Sequence, residues 1–178
     1  GTITADGWAI FAEDSTSVTI TNSGTISSST GQRAIDIKET TNSVITNTAT
    51  GTIETATQVA INANGAINPT ITNHGIIKST VASSKVVDFP QTADDRGTGG
   101  TLTNTGTIIN STGGAGQSIR VGDGDGPWND LKIINSGTIS SIGESVLVSG
   151  GSETTGLNIT TKGEGTWVGE IDMEDAAV

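Results

Sequence analysis

TITNSGTISSS, residues 19–29, decides the fold of this chain. Taken alone it has the composition of a polar linker, because hydroxyl side chains surround one asparagine, one glycine and two isolated isoleucines. Close variants of it follow along the sequence: VITNTATGTIET from Val44, TITNHGIIKST from Thr70, TLTNTGTIINST from Thr101 and KIINSGTISSI from Lys132. The stretch is therefore a repeat unit, and a repeat of this length predicts an array of stacked coils.

The glycine that opens the Gly-Thr-Ile element marks the phase of the repeat. Successive copies are 23, 27, 24, 31, 31 and 28 residues apart. Irregular spacing around a constant short motif is typical of a solenoid in which the strands keep their register and the loops vary. The marker glycines are Gly1, Gly24, Gly51, Gly75, Gly106, Gly137 and, more loosely, Gly165.

Each repeat contains three short segments in which apolar residues alternate with polar ones, and this period of two places the apolar side chains on one face of a strand. The sequence therefore predicts an all-β fold: a right-handed parallel β-helix, or β-solenoid, with three short strands per coil and about six to seven coils, forming one segment over residues 1–178. The predicted inward residues are Val18/Ile20, Ile45, Ile71, Leu102, Leu131/Ile133 and Leu157/Ile159 in the first strand; Ile26, Ile53, Ile77, Ile108, Ile139 and Trp167 in the second; and Ile10/Ala12, Ile35/Ile37, Val59/Ile61, Val87/Phe89, Ile119/Val121 and Val146/Val148 in the third.

Composition limits the function. The 178 residues are 32% apolar and 3% aromatic, which is thin for a compact globule but sufficient for a narrow solenoid core. A formal charge of −11 with only eight lysines and arginines argues against nucleic acid as a partner. No run approaches the roughly 20 apolar residues that span a bilayer, so we expect no membrane insertion of this segment.

An asparagine follows the inward isoleucine of the first strand by two residues and should point inward as well. Buried amides need hydrogen-bond partners, and stacked carboxamides can supply them to one another. We predict an asparagine ladder that ends where Thr161 replaces the amide, and we attribute the glycine of the following turn to a backbone φ that other residues reach only with strain. The alternative is that these are exposed turn residues. The ladder residues are Asn22, Asn47, Asn73, Asn104 and Asn135.

The pattern TITNSGTISS…AIDI, repeated with varied insertions and ending in GEGTWVGEIDMEDAAV, resembles the β-helical passenger regions of autotransporters and related bacterial surface adhesins. The resemblance implies a segment of a larger exported protein, located extracellularly or on the bacterial outer surface. It also implies a noncatalytic structural or adhesive module of a fibre. Its partners would be neighbouring coils or further copies of the protein, together with surface glycans or host cell-surface ligands.

The stretch VGDGDGPWND, residues 121–130, is a candidate calcium loop, because Asp123, Asp125 and Asp130 offer hard oxygen ligands among flexible glycines. It lacks the spacing of an EF-hand, and the alternative is an exposed acidic loop. Trp128 within it would stack on a sugar or pack on the solenoid. The sequence implies no other cofactor.

Threonines at the outward positions of the first strand form a candidate binding face, similar to the ice-binding face of some β-solenoid antifreeze proteins. The alternative is that threonine is simply a good exposed strand residue. Lys132 and Ile134 interrupt the predicted columns. The residues concerned are Thr19, Thr21, Thr70, Thr72, Thr101 and Thr103.

A polysaccharide-active enzyme would need two or three carboxylates close together on neighbouring coils. The outward position of the third strand is predicted to read Phe11, Asp36, Ala60, Asp88, Arg120 and Leu147, in which carboxylates are isolated. We therefore expect no enzyme activity, a surface salt bridge of small value between Asp88 and Arg120, and a solvated turn position for His74, the single histidine.

The ends of the repeat array carry a further expectation. Gly1 lies inside a copy of the motif, so we expect upstream coils, or head-to-tail stacking of subunits into a filament. At the other end Trp167 takes the place of the column isoleucine, and Glu170, Asp172, Glu174 and Asp175 follow it. These residues are predicted to close the core and charge the exposed edge.

Overall fold

A computed structural model describes residues 1–82, 84–91, 97–111, 116–123, 126–148 and 154–173. All of the named secondary-structure elements in these ranges are β-strands, and the strands of successive repeats pair in parallel. The chain is a right-handed parallel β-helix with three strands per coil, as the repeat predicts.

The first strands of the coils form one six-stranded parallel sheet, the first face of the solenoid. Numbered in chain order with the other strands, they are β3 (Thr19–Asn22), β6 (Val44–Asn47), β9 (Thr70–Asn73), β12 (Thr101–Asn104), β15 (Lys132–Asn135) and β17 (Asn158–Thr161).

The second and third strands belong to a twelve-stranded sheet, because the eleven-residue strand β16 (Thr138–Val148) continues from one face to the next. The terminal strand β18 (Thr166–Asp172) pairs along β16. The second face also contains β1 (Thr2–Ala5), β4 (Thr25–Ser28), β7 (Thr52–Thr55), β10 (Ile76–Ser79) and β13 (Thr107–Asn110). The third face also contains β2 (Ile10–Glu13), β5 (Ile35–Lys38), β8 (Ile61–Asn62), β11 (Lys85–Phe89) and β14 (Gln117–Val121).

The core consists of columns of like side chains stacked from coil to coil. In the second face Ile26, Ile53, Ile77, Ile108 and Ile139 are mutual neighbours in register and all are buried. Full burial of one such side chain is worth about 1.5–3 kcal/mol. A coil therefore needs few inward residues, and this explains how a chain with so little apolar content folds.

The predicted register of the third strand is wrong in one coil. Ile61 aligns with Ile35 and Val87, so Asn62, and not Ala60, follows Asp36 and precedes Asp88 in the outward column. The predicted parity survives, because the shift is by two residues and each side chain stays on its face. The strand β8 has only two residues, which is too short for alternation to determine its register.

A narrow fourth side closes each coil between the third and the first strands. Single bridges join Thr16, Thr41, Ile67, Thr98 and Asn129 from coil to coil. The residue that follows each bridge has a left-handed φ between 51° and 67°, a conformation that Asn, Asp and Gly adopt most readily. These residues are Ser17, Asn42, Asn68, Gly99 and Asp130.

Candidate functional site

The five predicted asparagines are buried and form a continuous ladder at the corner between the first and second strands. The first four side-chain amides donate from Nδ2 to Oδ1 of the asparagine in the next coil, and that of Asn135 donates to the Thr166 carbonyl. The donor–acceptor distances are 2.9 Å for Asn22 to Asn47, 2.8 Å for Asn47 to Asn73, 2.8 Å for Asn73 to Asn104 and 2.9 Å for Asn104 to Asn135. The ladder prediction is confirmed.

The same amides also hold the turn backbone. Nδ2 of Asn73 lies 3.2 Å from the carbonyl oxygen of Gly75 and 3.1 Å from that of Thr107 in the next coil. Beyond Asn135 the column continues with Thr161, whose hydroxyl accepts a hydrogen bond from the Trp167 indole at 2.8 Å. The ladder therefore ends with a satisfied polar group.

The glycine after the ladder asparagine is required for a different reason from the one predicted. None of Gly24, Gly51, Gly75, Gly106 and Gly137 has a left-handed φ. A Cβ on Gly106 would instead lie 2.2 Å from the carbonyl oxygen of Gly75 in the coil below. The conformational explanation is wrong, and close approach of two backbones explains the glycine.

A second column of buried polar side chains occupies the next corner, and the sequence prediction missed it. Ser79 Oγ accepts a hydrogen bond from the Val81 amide, and Asn110 Nδ2 donates to the Ser84 carbonyl at 2.8 Å. The signal was present, because these residues follow the column isoleucine of the second strand by two positions. The column comprises Ser28, Thr55, Ser79, Asn110 and Ser141.

The six threonines of the predicted binding face do lie on one surface of the first sheet. Thr19 and Thr21 lead two columns, which read Thr19, Val44, Thr70, Thr101, Lys132 and Thr21, Thr46, Thr72, Thr103, Ile134. The second column contains four consecutive threonines before Ile134. Val44, Lys132 and Ile134 interrupt what would otherwise be a regular grid.

Two of the three candidate calcium ligands lie in the described residues, and Asp125 lies outside them. The Asp123 carboxylate is 3.6 Å from the Arg120 guanidinium. Asp130 occupies the left-handed position of the fourth-side turn. Its Oδ1 lies in the space that a Cβ on Gly156, in the next coil, would need. The described part of the chain contains no group of three or more acidic, histidine or cysteine side chains placed to hold a metal.

Trp128 packs into the core. It is fully buried, its ring meets Phe89 edge-on at a centroid distance of 5.2 Å, and its indole donates to the Gly99 carbonyl at 3.0 Å. Gln91 ties the same region together by donating to the carbonyls of Gly97 and Pro127. Of the two predicted roles of Trp128, stacking on a sugar or packing on the solenoid, the structure shows the second.

The third-strand outward column contains paired charges beneath the surface. Arg120 donates to Asp88 through Nε at 2.7 Å and through Nη2 at 2.9 Å. Asp36 accepts from Arg33 at 2.9 Å and from Asn62 Nδ2 at 2.7 Å. The predicted Asp88–Arg120 pair exists, but Asp88 is only 3% exposed, so it is not the surface salt bridge expected.

Burial decides the ionisation of this pair. Desolvation raises the pKa of Asp88, and the hydrogen bonds from Arg120 oppose that rise. Desolvation also lowers the pKa of Arg120, but the hydrogen bonds and charge of Asp88 outweigh it, so that this pKa lies above its ordinary value. Each carboxylate in the column has a cationic partner: Asp36 pairs with Arg33 and Asp88 with Arg120. Because a buried carboxylate without its cation destabilises a protein, these pairs have a structural role.

The predicted solvated position of His74 is confirmed, and the N-terminal coil has exposed apolar side chains. His74 is exposed in its turn, and its Nδ1 lies 2.6 Å from the Thr105 hydroxyl. At the N-terminal coil, Ile3 and the aromatic pair Trp8 and Phe11 are among the large exposed apolar side chains. Glu174 and Asp175, predicted to charge the other edge, lie outside the described residues.

Comparison with protein-family models, with curated proteins and with solved structures found no match. No helix that is long and apolar enough to cross a membrane occurs in the ranges that the structure describes.

Proposed function

We propose that the chain is a noncatalytic structural or adhesive module of a bacterial cell-surface or extracellular fibre, and that copies of it stack head-to-tail. In this proposal the solenoid supplies length and stiffness, since each coil contacts only its neighbours. A heterologous contact between unlike ends that does not close into a ring produces an open filament.

The observation that carries the proposal is the solvent exposure of the second-face core column at the N-terminal coil. Ile3 aligns with Ile26 and Ile53, yet it is 47% exposed where they are 3% and 0% exposed. The strands β1, β2 and β3 each lie at the end of their stack, so one edge of each is unpaired. Unpaired edges beside an apolar cross-section favour the addition of another coil.

Electron microscopy of the purified chain, with and without Ca²⁺, tests the proposal. We expect unbranched filaments for the wild type. Ile3→Glu should abolish them, because it places a charge in the continuing core column. Ile76→Glu is the matched control, since Ile76 is 43% exposed within β10, in the middle of the array and away from both terminal coils. Dispersed monomers of the wild type in both conditions would contradict head-to-tail stacking.

A further inference from the structure

Three cationic side chains and one carboxylate line a depression on the outside of the third face. Arg33, Lys85 and Arg120 lie there with Asp88, Gln58 and Ser84, and the volume of the depression is about 350 Å³. These are three of the eight lysines and arginines in a chain of net charge −11. The volume lies at the lower end of the range for small-molecule sites, and it would hold a single sugar unit or a comparable group.

Two of the cationic groups in the depression have unused hydrogen-bond donors. Arg33 binds Asp36 through Nη1, but its Nε is buried and has no hydrogen-bond partner. The ammonium group of Lys85 forms no ion pair with any described residue. Arg120, by contrast, is held by Asp88 through two hydrogen bonds. The Lys85 ammonium and the exposed part of the Arg33 guanidinium, whose side chain is 29% exposed, can therefore donate hydrogen bonds to an anion.

An aromatic pair lies beside the depression along the solenoid axis. The Ala9 amide donates to the Arg33 carbonyl, so the register places Trp8 next to Arg33 and Phe11 next to Asp36. The two rings are 5.1 Å apart between centroids and are 43% and 46% exposed. Coils are about 4.8 Å apart, so three steps, or about 14 Å, separate the coil of Trp8 from that of Lys85.

We infer that the depression and the aromatic pair together bind an acidic glycan that lies along the solenoid axis. The apolar faces of its sugar rings pack on Trp8 and Phe11, as flat amphipathic groups pack on aromatic side chains. A carboxylate or sulfate group on a later sugar accepts hydrogen bonds from Lys85 and from the exposed part of the Arg33 guanidinium. The site needs no contact between copies of the chain, so it stands or falls separately from filament formation.

Calorimetric titration of the folded chain tests this inference. The probes are an oligogalacturonate, a neutral oligosaccharide of equal length and monomeric galacturonate, all at one ionic strength. We expect the acidic oligosaccharide to bind much more tightly than the other two, because only it reaches both the cations and the rings. The inference would be overturned if the neutral oligosaccharide bound as tightly as the acidic one, if only the monomer bound, or if no probe bound.

Three variants locate the site. Lys85→Gln should weaken binding of the oligogalacturonate roughly 10- to 100-fold, the value of a charge-assisted hydrogen bond. Trp8→Ala should weaken it as well, while leaving the weak binding of monomeric galacturonate unchanged. Lys132→Gln is the matched control, because Lys132 is exposed on the first face and should leave affinity unaltered. A loss for Lys132→Gln equal to that for Lys85→Gln would show nonspecific charge attraction and overturn the site.

Discussion

Single residues stabilise this solenoid through contacts that repeat at every coil. One asparagine both donates to and accepts from its neighbours in the ladder and also binds turn carbonyls. One glycine lets two backbones approach within a distance that no Cβ permits. Because every coil repeats these contacts, the effect of a substitution at one rung indicates the strength of the others.

Asn73→Ala should destabilise the protein strongly. It removes hydrogen bonds to Asn47, Asn104 and the turn carbonyls, and each buried group left without a partner costs about 1–3 kcal/mol. Chemical denaturation followed by circular dichroism measures the loss. Thr72→Ala, at an outward position of the same strand, is the control and should cost about 0.5 kcal/mol or less. Equal effects of the two substitutions would contradict a structural role for the ladder.

Gly106→Ala tests the steric explanation of the marker glycine. Its φ suits any residue, but the new Cβ would lie 2.2 Å from a backbone oxygen that cannot move without shifting a coil. Overpacking of this kind costs about 1–3 kcal/mol or more. Gly7→Ala, where no atom lies within 4 Å, should be neutral or slightly stabilising in the same denaturation assay. A neutral Gly106→Ala would show that the coils are not held as closely as described.

At the scale of the element, alternation in the sequence predicts a face better than it predicts a register. The columns of the first and second faces could be predicted, because four-residue strands end at the same motif in every coil. The predicted register of β8 was wrong by two residues, because the strand and the turn before it are too short to fix an alignment. The reason for the glycines could not be found either, since a contact between coils is invisible within one repeat.

The Asp88–Arg120 pair supports a prediction on pH. Arg120→Met should cost about 3–5 kcal/mol at pH 7, because it leaves a buried carboxylate without its cation. A carboxylate whose folded pKa is raised contributes stability that is fully present below its unfolded pKa, about 3.9, and that is lost as the pH rises through the folded pKa. Removing Arg120 removes the groups that oppose the rise, so the cost should shrink as the pH falls from 7 to 4.

Thermal unfolding of the wild type and the variant across this pH range measures the effect. The matched control is the double variant Asp88→Asn, Arg120→Met, which has no titratable group at the pair. Its stability relative to the wild type should change much less with pH than that of the single variant. A pH-independent cost of Arg120→Met would mean that Asp88 is solvated and not buried.

At the scale of the whole molecule, the solenoid is a wall of parallel strands around a narrow core. The second-face column is buried from Ile26 to Ile139, whereas Ile3 of the first coil is 47% exposed. The sequence alone predicted the wall and the ladder, and head-to-tail stacking stays a prediction. The sequence could not predict the depression on the third face, because Arg33, Lys85 and Arg120 come from three coils and meet only when the coils stack.

Disulfide cross-linking between copies tests head-to-tail stacking most directly. Thr2 and Thr166 are the first and last outward residues of one column on the second face, and the described residues contain no native cysteine. A coil step of about 4.8 Å falls within the Cα–Cα range of a disulfide, about 4.4–6.8 Å. The account predicts that oxidised Thr2→Cys, Thr166→Cys protein gives a ladder of covalent oligomers, and that the control Thr72→Cys, Thr166→Cys does not. Monomer alone from the first variant, or equal ladders from both, would contradict head-to-tail stacking.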